Sequence, residues 1–226
     1  MKTLVLLGAS GNAHDLLDIV ESPAAAPSWR VIGILDDNAQ PGETRFGYPV
    51  LGRIDEARDF PADGCLLAVG SDRSYLVRPH IVEAARLARE RFATLVHPLA
   101  SVSRRASLGY GVYASFGASV GGHVEIGDHV ALGPAAIVGH DARIGDYSVL
   151  APGAVVSGGV TVEPNCYLGA RSVIRQHLHI GRGALIGMGA VVTRDVPAGA
   201  VVAGCPARVI ERTPPTPRPR ELTEAT

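Results

Sequence analysis

The stretch AIVGHDARIGDYSVLAPGAVVSGGVTV, residues 136–162, decides the fold because an aliphatic side chain recurs in it at every sixth position. The same step of six extends from Val102 to Val192, and 15 of the 16 positions that it reaches are valine, isoleucine or leucine. A glycine or another small residue usually follows each of them. This period, sustained over about ninety residues, predicts a parallel β-helix.

In such a solenoid each short strand buries one aliphatic side chain, and a small residue permits the bend that follows. A single rung is too small to be stable, since one buried aliphatic side chain contributes roughly 1.5–3 kcal/mol. We therefore expect these inward positions to stabilise the chain only when successive coils are stacked. The 27 glycines, against four phenylalanines and one tryptophan, agree with a core of small aliphatic residues.

The first hundred residues alternate between buried strands and amphipathic helices, which is typical of a parallel α/β sheet. We expect strands over 2–8, 29–37, 64–71 and 93–98, a helix over 12–22 and a longer amphipathic helix within 73–92. About four strands are closer to one mononucleotide-binding half than to a full dinucleotide fold. We therefore predict a Rossmann-like α/β domain over 1–100, a β-helix over 101–212 and an extended or disordered Pro-rich tail over 213–226.

The turn GASGNAH, residues 8–14, joins the first predicted strand to the first helix. A glycine-rich bend at this place can bring backbone N–H groups to a phosphate at the helix N-terminus. The spacing departs from the dinucleotide fingerprint GxGxxG, so a nucleotide-linked ligand fits better than NAD. Asp36 and Asp37 end the second strand, where they can accept hydrogen bonds from a ribose or a base, although a solvated strand-end turn would also explain them.

Composition excludes several other classes of function. The 21 basic residues are balanced by 22 acidic ones, which gives no electrostatic attraction to nucleic acid or to an anionic membrane. The apolar stretch after Lys2 is too short for a signal peptide or a membrane span, so we expect no membrane insertion. Cys65, Cys166 and Cys205 lie far apart without a CxxC pair, which argues against a disulfide framework and favours the reducing cytoplasm.

The segments GASG, ILDD, AVGS and LVHP, combined with the hexapeptide repeat and the closing VVAGCPARVI, resemble the NeuD/PglD-type sugar acyltransferases from Leu4 to Ile210. That resemblance implies a left-handed β-helix with three hexads in each 18-residue coil. It also implies that acetyl-CoA is the acyl donor and that a sialic acid or a nucleotide-linked 4-amino sugar is the acceptor. The family binds the donor in a groove between two helices of a homotrimer, so we expect a trimer here.

The resemblance also assigns binding residues. The positions that match the family's nucleotide-sugar site are Ser10, Gly11, Asn12, Asp36, Asp37 and Gly70. Ala170 and Met188 match positions that line the coenzyme A pantetheine, although they can equally be ordinary coil residues. The sequence departs from the family's pattern at two positions. Asn12 follows the glycine turn where the family often has histidine or phenylalanine, and Val149 stands where bacillosamine-pathway relatives have a histidine that contacts the donor.

His140 aligns with the proposed general base of this family, and the pair is His140-Asp141 where relatives have His-Glu. A neutral imidazole can take the proton of an attacking amine or hydroxyl. Neighbours on a flat strand point to opposite faces, so Asp141 can orient His140 only if the chain bends, and Gly139 permits a bend. One coil further, Gly158 offers an N–H group to the tetrahedral oxyanion, an interaction of about 2.7–4 kcal/mol.

The same step of 18 places Asp141 above His123, so Asp141 can orient either histidine. A different class of protein, the γ-type carbonic anhydrases, uses a similar coil with a zinc site. His123 and His177 are three coils apart at about 4.8 Å per coil, too far to share one metal, and the spacing His177-x-His179 is a weak signal by itself. We therefore expect no metal.

The leading interpretation is an acetyl-CoA-dependent N-acetyltransferase that acts on a nucleotide-linked 4-amino sugar, with His140 as the base. The first alternative is O-acetylation of a sugar of the sialic acid type, which would not need Asp36 and Asp37. The second is a trimeric scaffold without catalytic activity. A scaffold has no use for a glycine turn, which makes the α/β half an argument for an enzyme.

Overall fold

The computed structural model describes residues 1–24 and 28–212, so the predicted tail over 213–226 lies outside the described residues. The elements of the α/β half are β1 (Lys2–Leu7), α1 (Asn12–Val20), β2 (Trp29–Leu35), β3 (Thr44–Arg45), β4 (Tyr48–Gly52), β5 (Gly64–Leu67) and α2 (Arg78–Ala85), with 3₁₀ turns over Ile54–Asp59, Tyr75–Val77 and Arg89–Arg91. The strand order is β3-β4-β2-β1-β5, in which all neighbours are parallel except the exposed edge strand β3, which is antiparallel to β4. Leu4 and Leu6 in β1 are fully buried, as expected for a central strand that is covered on both faces.

Three features of this half differ from the sequence-based expectation. A hairpin adds β3 and β4, because Phe46 and Gly47 both adopt positive φ and form the two-residue turn that reverses the chain. The helix within 73–92 is shorter than expected and ends at Ala85, since Arg86 adopts the left-handed conformation that terminates a helix. The strand within 93–98 reduces to Leu95–Val96 and pairs with the β-helix, whereas Phe92 forms an isolated bridge to Cys65 of the α/β sheet.

The second half is the predicted left-handed parallel β-helix, in which each residue pairs with the residue 18 positions further on. Three two-residue strands make one triangular coil. The faces of the coil carry the strands Leu95–Val96, Tyr113–Ala114, Ala131–Leu132, Val149–Leu150, Tyr167–Leu168 and Leu185–Ile186; the strands Ser101–Val102, Ser119–Val120, Ile137–Val138, Val155–Val156, Val173–Ile174 and Val191–Val192; and the strands Ser107–Leu108, Glu125–Ile126, Arg143–Ile144, Thr161–Val162 and His179–Ile180.

The second residue of each of these strands points inward and nearly all are buried, which confirms the step of six. The first residue points outward, and the outward residues give each face its character. The covered face (Leu95, Tyr113, Ala131, Val149, Tyr167, Leu185) packs largely against the α/β half. The aliphatic face (Ser101, Ser119, Ile137, Val155, Val173, Val191) and the charged face (Ser107, Glu125, Arg143, Thr161, His179) are not covered by it.

The coils stack closely at the corners that join the strands. A Cβ atom on Gly139 would lie 2.6 Å from the backbone nitrogen of Gly158, so only glycine fits there. An antiparallel hairpin of Ala200–Ala203 and Arg208–Arg212 closes the stack. Among the described residues, no helix is long and apolar enough to cross a membrane.

The buried guanidinium of Arg78 joins the two halves. It donates hydrogen bonds to the carbonyl oxygens of Tyr147 (3.0 Å) and His129 in the β-helix and of Val69 in the α/β half. Burial lowers the pKa of Arg78 to about 10, and desolvation together with the positive charge of Arg78 lowers the pKa of His129 to about 4. His129 is therefore a neutral structural residue that stacks on Tyr147.

Candidate active site

A cavity of about 240 Å³ lies where the carboxyl end of the α/β sheet meets the covered face of the β-helix. Its lining residues are Gly11, Asn12, Asp15, Gly70, Ser71, Tyr113, Gly133, Val149, Leu150, Ala151, Pro152 and Tyr167. Drug-sized ligands occupy pockets of about 300–1,000 Å³, so this space suits a ligand fragment the size of one sugar ring. The α/β half supplies the polar wall, and the β-helix supplies aromatic and aliphatic groups.

The glycine turn forms one side of the cavity. Gly8 has a φ of 94°, and a Cβ atom there would overlap the side chain of Val69. Ser10 Oγ donates to the carbonyl oxygen of Ala68 at 2.5 Å, which fixes the turn against the end of β5. Within the described residues, the backbone N–H groups of Gly11 and Asn12 meet no protein acceptor, so they are available to an anion at the start of α1.

Asn12 and Gly70 lie beside this turn on the cavity wall. The side-chain amide Nδ2 of Asn12 donates to the hydroxyl of Tyr113 at 3.0 Å, which joins the polar wall to the β-helix. A Cβ atom on Gly70 would lie 2.9 Å from Arg78 Nη1 and 3.3 Å from Val149 Cγ2. Gly70 therefore allows the end of β5 to approach both the buried guanidinium and the floor of the cavity.

The strand-end carboxylates lie near the turn but do not line the cavity. Asp36 is 9% exposed and accepts hydrogen bonds from the backbone N–H groups of Ala9 (2.5 Å) and Asn38 (2.7 Å). Asp37 accepts from the N–H of Ile54 at 3.1 Å and lies 3.7 Å from the guanidinium of Arg53. Asp36 thus braces the glycine turn, whereas Asp37 keeps an exposed oxygen at the sheet edge.

His140 and Asp141 form a close pair at the corner between the aliphatic and charged faces. Nδ1 of His140 lies 2.7 Å from Oδ2 of Asp141. The bend that brings them together is made by Asp141 itself, which has a φ of 59°, and not by Gly139 as the sequence suggested. The hydrogen bond from His140 holds the pKa of the Asp141 carboxyl below its ordinary value, and the nearby His123 and His177 act in the same direction. Of the two candidate histidines, His140 makes the hydrogen bond.

Gly158 lies directly against this pair on the next coil. A Cβ atom on Gly158 would lie 2.8 Å from both Nε2 and Cε1 of His140, so the imidazole occupies the space that a side chain would need. Among the described residues, no acceptor takes the backbone N–H of Gly158. The corner therefore combines an oriented imidazole with a free backbone donor.

Ala170 and Met188 lie at another corner, between the covered and aliphatic faces. They stack at 18-residue intervals above Pro152, which lines the cavity, through the bonds Arg171 N–H to Pro152 (3.0 Å) and Gly189 N–H to Ala170 (2.8 Å). Met188 is 81% exposed. These residues form a track that leaves the cavity along one edge of the β-helix.

Within one chain, the structure brings together Gly11, Asn12 and Gly70 at the cavity, while His140, Asp141 and Gly158 lie at a different corner. Asp15, Tyr113 and Tyr167 also line the cavity and were not predicted from the sequence. The two tyrosines could have been found, because they belong to one column of outward residues spaced by 18 with Ala131 and Val149. Among the described residues, no three His, Cys, Asp or Glu side chains are arranged to hold a metal ion.

Comparison with known families matches both halves separately. Residues 3–84 match the PglD N-terminal domain. Residues 123–158 and 159–194 each match the bacterial transferase hexapeptide family, described as six repeats. A curated relative, the 2,3,4,5-tetrahydropyridine-2,6-dicarboxylate N-acetyltransferase of Staphylococcus aureus, is 51% identical over 53 residues, which is 24% of this chain. The match spans only 22% of the length of that enzyme.

Solved structures match nearly the whole chain. The acetyltransferase domain of PglB from Neisseria gonorrhoeae is 27% identical and covers 93% of this chain and 100% of its own, with a TM-score of 0.82. PerB from Caulobacter crescentus, in complex with CoA and GDP-perosamine, is 25% identical over 93% of this chain and 98% of its own, with a TM-score of 0.80. WeeI from Acinetobacter baumannii is 29% identical over 93% of this chain and 100% of its own, with a TM-score of 0.76.

Proposed function

Because the chain belongs to the NeuD/PglD-type sugar acyltransferases, we propose that it is an acetyl-CoA-dependent N-acetyltransferase of a nucleotide-linked 4-amino sugar and acts in the cytoplasm. The main support for catalysis of acetyl transfer is the hydrogen-bonded pair of His140 and Asp141, which lies beside the free N–H of Gly158. The described complexes of similar proteins, with acetyl coenzyme A for the PglB domain and with CoA and GDP-perosamine for PerB, support the same pair of substrates.

The α/β half binds the nucleotide-linked sugar in this proposal. The unpaired N–H groups of Gly11 and Asn12 receive the diphosphate at the start of α1, where the helix dipole favours negative charge. Ser10 and Asp36 hold the turn in shape through their backbone hydrogen bonds, and Asp37 presents an exposed oxygen to the nucleoside. The sugar then enters the cavity beside Gly70 and Val149.

The chemical step is a direct transfer of the acetyl group. Nε2 of neutral His140 takes a proton from the acceptor amine as the amine nitrogen bonds to the thioester carbon. Nδ1 donates to Asp141, which stabilises the imidazolium that forms. The N–H of Gly158 stabilises the oxyanion; the C–S bond then breaks, and the proton on His140 passes to the sulfur of coenzyme A.

A homotrimer is part of this proposal because one chain does not bring His140 to its own cavity. Ile137, Val155 and Val173 make the aliphatic face apolar, and the α/β half leaves that face open. Three such faces packed around one axis would place the His140 corner of each copy beside the corner of its neighbour that carries Ala170 and Met188. Acetyl-CoA would then lie between two copies, along the track from Pro152 to Met188.

A specific observation separates this function from the alternatives. A free sugar such as sialic acid has a carboxylate but no nucleoside, and it would leave the exposed oxygen of Asp37 without a ligand. A trimeric scaffold needs neither the cavity nor the exposed pair of His140 and Asp141. The N-acetylation of a nucleotide-linked sugar accounts for all three features.

The test is thiol release from acetyl-CoA with UDP-, dTDP- and GDP-linked 4-amino sugars, with sialic acid as the hydroxyl acceptor. We expect release with at least one nucleotide-linked amino sugar and a fall of about 10²–10⁴-fold in His140→Ala. His179→Ala is the matched control, because its histidine lies on the charged face and bonds to Glu163 instead. Release with sialic acid alone, or full activity in His140→Ala, would contradict the proposal.

A further inference from the structure

Asp15 is the only acidic or basic side chain among the residues that line the cavity, apart from the two tyrosines. It lies in the first turn of α1, one helical turn after Gly11. Its side chain therefore faces the same space as the Asn12 and Tyr113 pair. Aspartate is rarely buried without a partner, so a carboxyl group in a pocket that Val149 lines on the opposite side points to a ligand.

Two other polar side chains of the cavity already have protein partners. Asn12 Nδ2 donates to the hydroxyl of Tyr113. Ser71 Oγ lies 2.8 Å from Ser74 Oγ. Among the described residues, by contrast, no donor reaches the Asp15 carboxylate and no cation pairs with it.

Among the described residues, the basic side chains near the cavity form no ion pair with Asp15. The guanidinium of Arg78 borders Gly70, but its donors are taken by three backbone carbonyl oxygens. The imidazole of His14 packs edge-on against Phe46 at 4.6 Å. Burial raises the pKa of Asp15 above its ordinary value and Asp18 raises it further, while the neighbouring His14 acts in the opposite direction without reversing the shift.

We propose that Asp15 is a specificity-determining residue that binds the ammonium group of the acceptor sugar and so selects an amino sugar over its hydroxyl counterpart. An ammonium group offers three donors and a charge that compensates the half-buried carboxylate, whereas a neutral hydroxyl offers one donor and no charge. The inference rests on the proposed function, since it assumes that the sugar of a nucleotide-linked acceptor occupies this cavity.

Asp15 acts on binding in this scheme and not on the acetyl transfer itself. The bound ammonium must first release one proton to water, and His140 takes the next proton as the amine attacks, so contact with Asp15 stabilises the bound ammonium form and not the transition state. Loss of the carboxylate should therefore raise KM and kcat for the amino sugar together and leave kcat/KM nearly unchanged.

The experiment measures binding by titration calorimetry without acetyl-CoA. The probes are a nucleotide-linked 4-amino-4,6-dideoxyhexose and the same nucleotide sugar with a 4-hydroxyl group, on UDP, dTDP and GDP in turn. We expect the intact protein to bind the amino sugar about tenfold more tightly, Asp15→Asn to lose this preference, and Asp15→Glu to keep part of it. Glu21→Gln removes an exposed charge from the C-terminal end of the same helix and should keep the full preference.

The outcomes separate this inference from the proposed function. An amino-sugar preference that survives in Asp15→Asn, or equal binding of both sugars by the intact protein, would overturn the role of Asp15. A preference that Asp15→Asn abolishes, without thiol release from acetyl-CoA by the intact protein, would uphold Asp15 as an ammonium-binding residue and contradict the acetyltransferase proposal instead. The unfolding temperature of each variant checks that the cavity is still formed.

Discussion

Nδ1 of His140 and Oδ2 of Asp141 lie 2.7 Å apart although the two residues are neighbours in the chain. Side chains of successive residues on a flat strand point to opposite faces, so this contact exists only because Asp141 adopts a φ of 59°. Aspartate and asparagine tolerate that conformation better than most residues. The orienting acid therefore also makes the bend that lets it reach the base.

Asp141→Asn should lower kcat by about tenfold or more, because asparagine keeps the bend but cannot stabilise the imidazolium by charge. The measurement is thiol release under saturating substrates. In the His140→Ala background the same change should cost little, since the two residues act as one unit. Glu125→Gln, which removes an exposed carboxylate from the charged face, is the control. Equal losses from Asp141→Asn with and without His140 would show that Asp141 does not act through the imidazole.

Gly158→Ala should reduce kcat by about a hundredfold, because the new Cβ atom would lie 2.8 Å from Nε2 and Cε1 of His140 and displace the ring. Gly122→Ala is a matched control two coils earlier, where a Cβ atom would meet only Ser103 Oγ at 3.8 Å. Both variants should unfold at nearly the temperature of the intact protein. A crystal structure of Gly158→Ala that lacks the hydrogen bond between His140 and Asp141 would show that the displaced ring causes the loss of kcat. An intact hydrogen bond together with a normal kcat would contradict this prediction.

Val173→Glu should dissociate the proposed trimer and abolish activity, because Val173 lies between Val155 and Val191 on the aliphatic face and a buried carboxylate there would have no partner. Sedimentation equilibrium measures the mass of the assembly directly. Thr161→Glu adds the same charge to the charged face and should leave the assembly intact. A monomeric Val173→Glu protein with full activity would remove the need for a second copy at the site.

Arg78→Met should lower the free energy of unfolding by about 3 kcal/mol or more, since it leaves the carbonyl oxygens of Val69, His129 and Tyr147 without their donor. Chemical denaturation monitored by circular dichroism measures the change. Arg73→Met removes an exposed arginine from the preceding turn and should have almost no effect. If the two variants were equally stable, the buried guanidinium would not be what joins the halves.

The β-helix could be predicted in detail from the sequence because the same stabilising contact, one buried aliphatic side chain, recurs at every sixth residue. Each inward position is a separate aliphatic residue, so the step from Val102 to Val192 can be counted directly. The hairpin at Phe46 and Gly47 could not be predicted in the same way, because its two strands are short and its turn lacks the usual Asn-Gly or Asp-Gly signal. The early end of α2 likewise depends on the left-handed Arg86, which no residue preference announces.

The candidate site was predictable where residues lie 18 apart and unpredictable where the two halves meet. Counting by 18 placed Gly158 over His140, and the structure has this contact. Asp15 carries no such signal, since its position in α1 reads as an ordinary acid near a helix N-terminus. Its importance appears only when the covered face of the β-helix closes the cavity around it.

The stability of Asp15→Asn and Asp141→Asn should depend on pH in opposite directions. Burial raises the pKa of Asp15 from its ordinary 3.8, so the folded chain holds this proton more tightly than the unfolded chain. The contribution of Asp15 to stability is present in acid and is lost as pH rises through the raised pKa, and Asp15→Asn should therefore stabilise the protein at neutral pH.

The hydrogen bond from His140 lowers the pKa of Asp141. The contribution of Asp141 to stability is therefore present above pH 3.8 and is lost as pH falls through the lowered pKa. Asp141→Asn should thus destabilise the protein at neutral pH and not in strong acid. Thermal unfolding between pH 2 and pH 8, with Glu125→Gln as the control, measures both differences, and curves that stay parallel to the intact protein would contradict the two assignments.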